Sequence, residues 1–172
     1  MKRLAVIPFI CLLVSQAFGK EPAPWIELER TGCHGICPVF TVRLFRDGRV
    51  EYLGKKFVVE VGIQHGRIKR GAAERLQRML DDLNVERLSP DCCSCIQVTD
   101  QPWSNVEIVA GKETHRVRHY HGCELAPAGL SQLEEEILMV SGVSRWIGSE
   151  SERARRREVW FRQVESDRFG GL

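Results

Sequence analysis

The chain has 172 residues, of which 43% are hydrophobic and 28% charged, with a formal net charge of +2. Lys2 and Arg3 carry that surplus: setting them aside from the 25 basic residues leaves 23 against 23 acidic ones. The length suits one domain with its own core, and the balance excludes a general electrostatic attraction to nucleic acid.

Residues 1–19 read as a signal peptide. Lys2 and Arg3 form a positive start, Leu4 to Val14 an apolar run, and Ala17-Phe18-Gly19 the small-residue pattern of a cleavage site. That run is too short to span a bilayer. The mature protein is expected to start near Lys20, to carry no transmembrane segment and to be periplasmic or secreted. Residues 20–148 are expected to form one domain, and residues 149–172 an arginine-rich helical tail.

Trp25 to Glu29 has strand character and runs into Arg30-Thr31-Gly32-Cys33. Val39 to Phe45 and Val50 to Leu53 flank Asp47-Gly48, a hairpin signal because both turn residues tolerate positive φ. Phe57 to Ile63 alternates, with Phe57, Val59, Val61 and Ile63 expected on a buried strand face. Leu76, Met79, Leu80 and Leu83 recur with the spacing of one helix face. Cys92 to Trp103 is loop-like. Asn105 to Val109 and Thr114 to His121 form a second hairpin about Gly111. A second helix opens at Pro127, presents Leu130, Leu133, Ile137 and Leu138, and ends near Gly142. In the tail, Arg153, Arg155, Arg156 and Arg157 precede Trp160 and Phe161, which read as docking residues or as an interfacial pair. Runs of strands broken by single helices specify an α+β fold, an antiparallel β-sheet packed on two amphipathic helices, with a strand-rich first half and a hairpin plus helix in the second.

Six cysteines lie beyond the leader: Cys33, Cys37, Cys92, Cys93, Cys95 and Cys123. In an exported chain they read first as disulfides, each worth about 2–4 kcal/mol where it closes a long loop. Cys33 and Cys37 can bridge locally or reach distant partners. A thioredoxin-like role is disfavoured, because three residues separate the pair and a strand follows instead of a helix.

The segment Arg30-Thr31-Gly32-Cys33-His34-Gly35-Ile36-Cys37-Pro38-Val39-Phe40, followed by Asp47-Gly48-Arg49-Val50-Glu51-Tyr52-Leu53-Gly54, resembles an exported bacterial family, domain of unknown function 6438. Gly111-Lys112 and His119-Tyr120-His121-Gly122 are similar to it as well, and the likeness covers Trp25 to Gly148. It implies a fold and an export route, but no reaction.

Three constellations carry candidate chemistry. Gly32 and Gly35 beside Arg30 suggest an anion-binding nest. His115, His119, His121 and Cys123 share one parity on an extended strand, an imidazole and thiolate set suited to zinc or copper, although Val117 on the same face points to ordinary packing. Cys123 cannot serve both a bridge and a metal. Glu134, Glu135 and Glu136 read as a solvated helix face. The chain contains neither a Gly-x-Ser-x-Gly elbow nor a His-Glu-x-x-His pair. The expectation is a non-catalytic, disulfide-stabilised binding module of the bacterial envelope. It would have no cofactor, and an envelope protein or small ligand as partner. A Cys/His metal-binding or thiol-redox protein is the alternative.

Overall fold

A computed structural model describes residues 22–90, 100–123 and 126–169. Six strands form a single antiparallel sheet: β1 (Ile26–Arg30), β2 (Val39–Leu44), β3 (Arg49–Lys56), β4 (Gly62–Arg67), β5 (Trp103–Ala110) and β6 (Glu113–Tyr120). Their spatial order is β4-β3-β2-β1-β5-β6. The first four strands therefore form a meander, and the chain then returns across the sheet to set β5 beside β1. The helices are α1 (Arg70–Leu83), α2 (Ala128–Ser141), the short α3 (Ser144–Ile147) and α4 (Glu150–Phe169), with a 3₁₀ turn at Val85–Arg87. The class is α+β.

Both hairpins form where turn chemistry allows. Gly48 takes φ 84° and Gly111 φ 63°, and the Asp47 carboxylate accepts the Arg49 N–H at 2.9 Å to close the first turn. Alternation then divides the sheet. Ile26, Leu28, Val42, Leu44, Val50, Tyr52, Val106 and Ile108 bury one face together with Leu76 and Leu80 of α1 and Leu133 and Ile137 of α2. Each such side chain contributes about 1.5–3 kcal/mol of burial. The opposite face carries cross-strand ion pairs: Arg43 joins Glu27 and Glu51, both at 2.7 Å, and Lys55 reaches Glu29 at 2.6 Å. Pro127 precedes α2, and Gly142, with φ 65°, ends it in the left-handed conformation.

The expected strand over Phe57 to Ile63 is corrected. The third strand runs on to Lys56, Phe57 adopts φ 54°, and the next strand begins only at Gly62. Val58 is buried, whereas Ile63 is 58% exposed and Val61 60% exposed. The segment is captured by the C-terminal part of the chain: Val59 and Glu60 donate their N–H groups to the carbonyls of Ile147 and Trp146, at 3.0 and 2.8 Å. Gly54 permits this approach, since a Cβ there would lie 2.0 Å from the Glu60 carbonyl oxygen.

The tail is helical over α4. Ser149 and Glu152 form a reciprocal capping box at its start, with Ser149 N–H to Glu152 Oε2 at 2.7 Å and Glu152 N–H to Ser149 Oγ at 3.3 Å. Trp160 meets Phe57 edge-on at 5.6 Å, and Arg156 donates to the Val59 carbonyl at 2.5 Å. Trp160 is thus a docking residue, while Phe161 and Val159 stay exposed. Among the described residues no helix is long and apolar enough to cross a membrane.

Candidate functional site

Three neighbouring strands and one helix converge on a buried carboxylate. The sheet register aligns Arg30 with Ser104, and Ser104 with His119, so the three occupy one row on the helix-covered face of β1, β5 and β6. Glu134 descends onto that row from α2. It lies one helical turn from Leu130 and Ile137, which share its inward stripe, and is only 1% exposed.

Its two oxygens are fully engaged. Oε1 meets His119 Nδ1 at 2.7 Å. Oε2 accepts the Ser104 hydroxyl at 2.8 Å and Arg30 Nη2 at 3.2 Å, and lies 3.1 Å from His121 Nε2. His121 Nε2 also meets Ser104 Oγ at 2.7 Å. Because the serine proton goes to the carboxylate, the network assigns His121 Nε2–H as donor to Ser104, and His119 Nδ1–H as donor to Glu134. The two imidazoles stack at 4.5 Å between ring centres. His119 is 3% exposed, whereas the His121 side chain is 23% exposed and forms the solvent side of the cluster.

Burial alone would raise the Glu134 pKa. Hydrogen bonds from His119, His121 and Ser104, with the Arg30 charge, overcome it and hold the carboxyl at about 2. Burial pushes the Arg30 guanidinium down, and the Glu134 charge opposes that shift. Arg30 Nε is buried with no hydrogen-bond partner, so the ion pair is Arg30's principal compensation in the interior.

The sequence-derived candidates separate around this centre. His119 and His121 belong to it. His115 shares their strand face but pairs in register with Ile108, two side-chain rows away, and lies 3.9 Å from the Glu113 carboxylate. Cys123 packs against Tyr120 beyond the Gly122 turn, in a separate small cluster with Trp103 and Ala126. The expected four-residue histidine and cysteine set is therefore not assembled. Equally, Glu134 does not belong to a solvated face with Glu135 and Glu136. It replaces an apolar residue on the inward stripe of α2, and that periodicity was the available signal. Glu136 bonds Arg75 of α1, which ties the two helices.

Cys33 and Cys37 are bonded to each other across a turn between β1 and β2. Of the groups proposed for an anion nest, the Gly35 N–H bonds the Cys33 carbonyl at 2.8 Å, and Arg30 faces Glu134. Cys92, Cys93 and Cys95 lie outside the described residues.

An antiparallel sheet layered with helices, whose central and edge strands are tied to one helix by a buried ionic cluster, defines a small α+β domain with a buried polar centre. The chain belongs to the family of the domain of unknown function DUF6438, whose family model matches residues 24–141. That span includes all five residues of the cluster and stops before α3 and α4. No curated protein matches the chain.

Proposed function

We propose that this domain is a non-catalytic binding module of the bacterial envelope, exported by the leader read in residues 1–19 and crosslinked by the Cys33–Cys37 bridge. One observation carries the reading: Glu134 is 1% exposed with its oxygens bonded by His119, Ser104 and Arg30, surroundings that hold its carboxyl well below neutrality, at about 2. A group that transfers protons works best with a pKa near the operating pH, and a carboxylate so strongly acidified is a weak base and never a useful acid there. Its chemistry is that of a fixed negative charge, suited to holding cationic or hydrogen-bond-donating groups in place. Export supports the bridge, since disulfides persist in oxidising compartments. The bridge sits in a strand-to-strand turn, where no helix N-terminus lowers a thiol pKa, and this weighs against a thiol-redox role.

The test is a ligand screen on the secreted, oxidised protein. Envelope metabolites, cell-wall fragments and metal salts are compared for saturable rises in thermal midpoint, and each compound is then recovered and weighed by mass spectrometry. At least one ligand should stabilise the domain and return unchanged. Chemical conversion of a stabilising compound would make the protein an enzyme and end this reading.

A further inference from the structure

The structure assigns a divalent transition-metal site to His119, His121 and Glu134, with zinc as the ion that fits the donor set. This rests on the binding-module reading above and names its ligand class. The three donors lie within 4.8 Å of one another and come from two elements whose separation the core fixes. Two imidazole nitrogens and one carboxylate oxygen form a borderline set that suits zinc or copper better than magnesium or calcium, which take mainly oxygen.

The distances support substitution of an ion for ring protons. Tetrahedral zinc with bonds of about 2.0–2.2 Å holds its ligand atoms roughly 3.3 Å apart. His119 Nδ1 and His121 Nε2 lie 2.7 and 3.1 Å from the Glu134 oxygens. These distances run to different carboxylate oxygens, Oε1 and Oε2, and the whole donor set lies within 4.8 Å, so side-chain adjustments of about an ångström bring one carboxylate oxygen and both nitrogens to coordination distance. An imidazole bound to the ion coordinates through the facing nitrogen and carries its proton on the other ring nitrogen.

Two neighbours take defined parts. Ser104 Oγ and Arg30 Nη2 both bond Oε2, orienting the carboxylate as outer-sphere partners do around bound metals. Arg30 also repels a cation. A bound ion therefore favours an anionic or water ligand in its fourth position, and the half-buried His121 edge is where solvent reaches it. Such a site has exchangeable character, in contrast to a closed structural finger.

The experiment uses the full exported chain, stripped with chelator and titrated calorimetrically with zinc chloride, with magnesium chloride as control. One zinc per chain should bind, magnesium should not, and zinc should shift the imidazole nitrogen resonances of two histidines. His121→Gln keeps a donor toward Ser104 and preserves the fold by circular dichroism. It should weaken zinc by at least the roughly 10–100-fold that follows loss of an outer-sphere partner. His119→Asn should do the same. Unchanged zinc affinity in both variants would place the ion elsewhere and overturn the assignment, as would no zinc binding by the folded wild-type chain. The two readings fail separately. If zinc does not bind but another compound stabilises the protein and is recovered unchanged, the metal site falls and the module stands. If zinc binds and a bound compound is converted, the site stands and the module reading falls.

Discussion

Glu134 concentrates more of the molecule's electrostatics than any other described side chain, and its behaviour with pH follows from what surrounds it. Its folded pKa of about 2 lies below the 4.5 usual for a glutamate. A depressed carboxyl stabilises the fold fully above its unfolded pKa and loses that contribution as pH falls toward the folded one. A gap of this size corresponds to about 3 kcal/mol, to order of magnitude. Urea unfolding of wild type should therefore weaken by about that amount between pH 5 and pH 2. Glu134→Gln should lack this component and be destabilised by about 3 kcal/mol near neutrality, since it strands the Arg30 guanidinium. Parallel pH profiles for the two proteins would show that the carboxylate is not the hub. Its identity was hidden in the sequence by its neighbours: in a run of three glutamates only the helical phase, with Leu130, Leu133 and Ile137 around it, distinguishes the buried one. The histidines mislead in the opposite direction. His115 and His119 share a face, yet a four-residue step along the strand sets them about 13 Å apart, so common parity does not make a common site.

At the scale of elements, what was legible had local causes and what was missed had distant ones. Asp47-Gly48, Gly111, Pro127 and Gly142 place their turns and helix ends through backbone preferences that any tetrapeptide would show. The corner between β3 and β4 was misread because its pattern is dictated by α3, almost ninety residues later, whose carbonyls take the Val59 and Glu60 N–H groups. Alternation in Phe57 to Ile63 imitates a strand whose backbone partners lie elsewhere. Gly54 is the residue that makes this corner possible, and Tyr52 shares its crowding: the Tyr52 hydroxyl would stand 3.0 Å from a Cβ at position 54. In Gly54→Ala the severe clash is with the Glu60 backbone at 2.0 Å, which no side-chain rotation relieves, and Tyr52 and Val58 crowd the same Cβ at 3.0 Å. It should cost about 1–3 kcal/mol, read as a lower urea midpoint with an unchanged slope. Gly71→Ala, where a Cβ meets nothing, is the matched control and should be neutral or slightly stabilising. Equal effects at the two positions would refute the steric account.

For the whole molecule, the question is which parts form the cooperative unit. The core cluster gathers side chains from the sheet, α1, α2 and the segment Val143 to Ile147, and the family match ends at Ser141. Helix α4 is different in kind. Its attachments to the corner between β3 and β4 include the Trp160 edge on Phe57 and the Arg156 bond to the Val59 carbonyl, and Val159 and Phe161 stay exposed. A helix rich in charged residues that leaves Val159 and Phe161 exposed draws little stability from tertiary packing. Truncation after Gly148 should therefore leave a domain that unfolds in one transition. Its stability should fall by about 1–2 kcal/mol, the aromatic pair supplying roughly 0.5–1.5 of it. Phe57 is the internal check: it holds a left-handed φ without being glycine, and Trp160 lies against its ring. In the truncated chain, amide exchange should quicken at Phe57 to Val61 and stay slow through β1, β2 and β5. If the truncated chain instead loses its near-ultraviolet circular dichroism and exchanges uniformly, α4 is part of the core unit, and the corner it braces is essential to the fold.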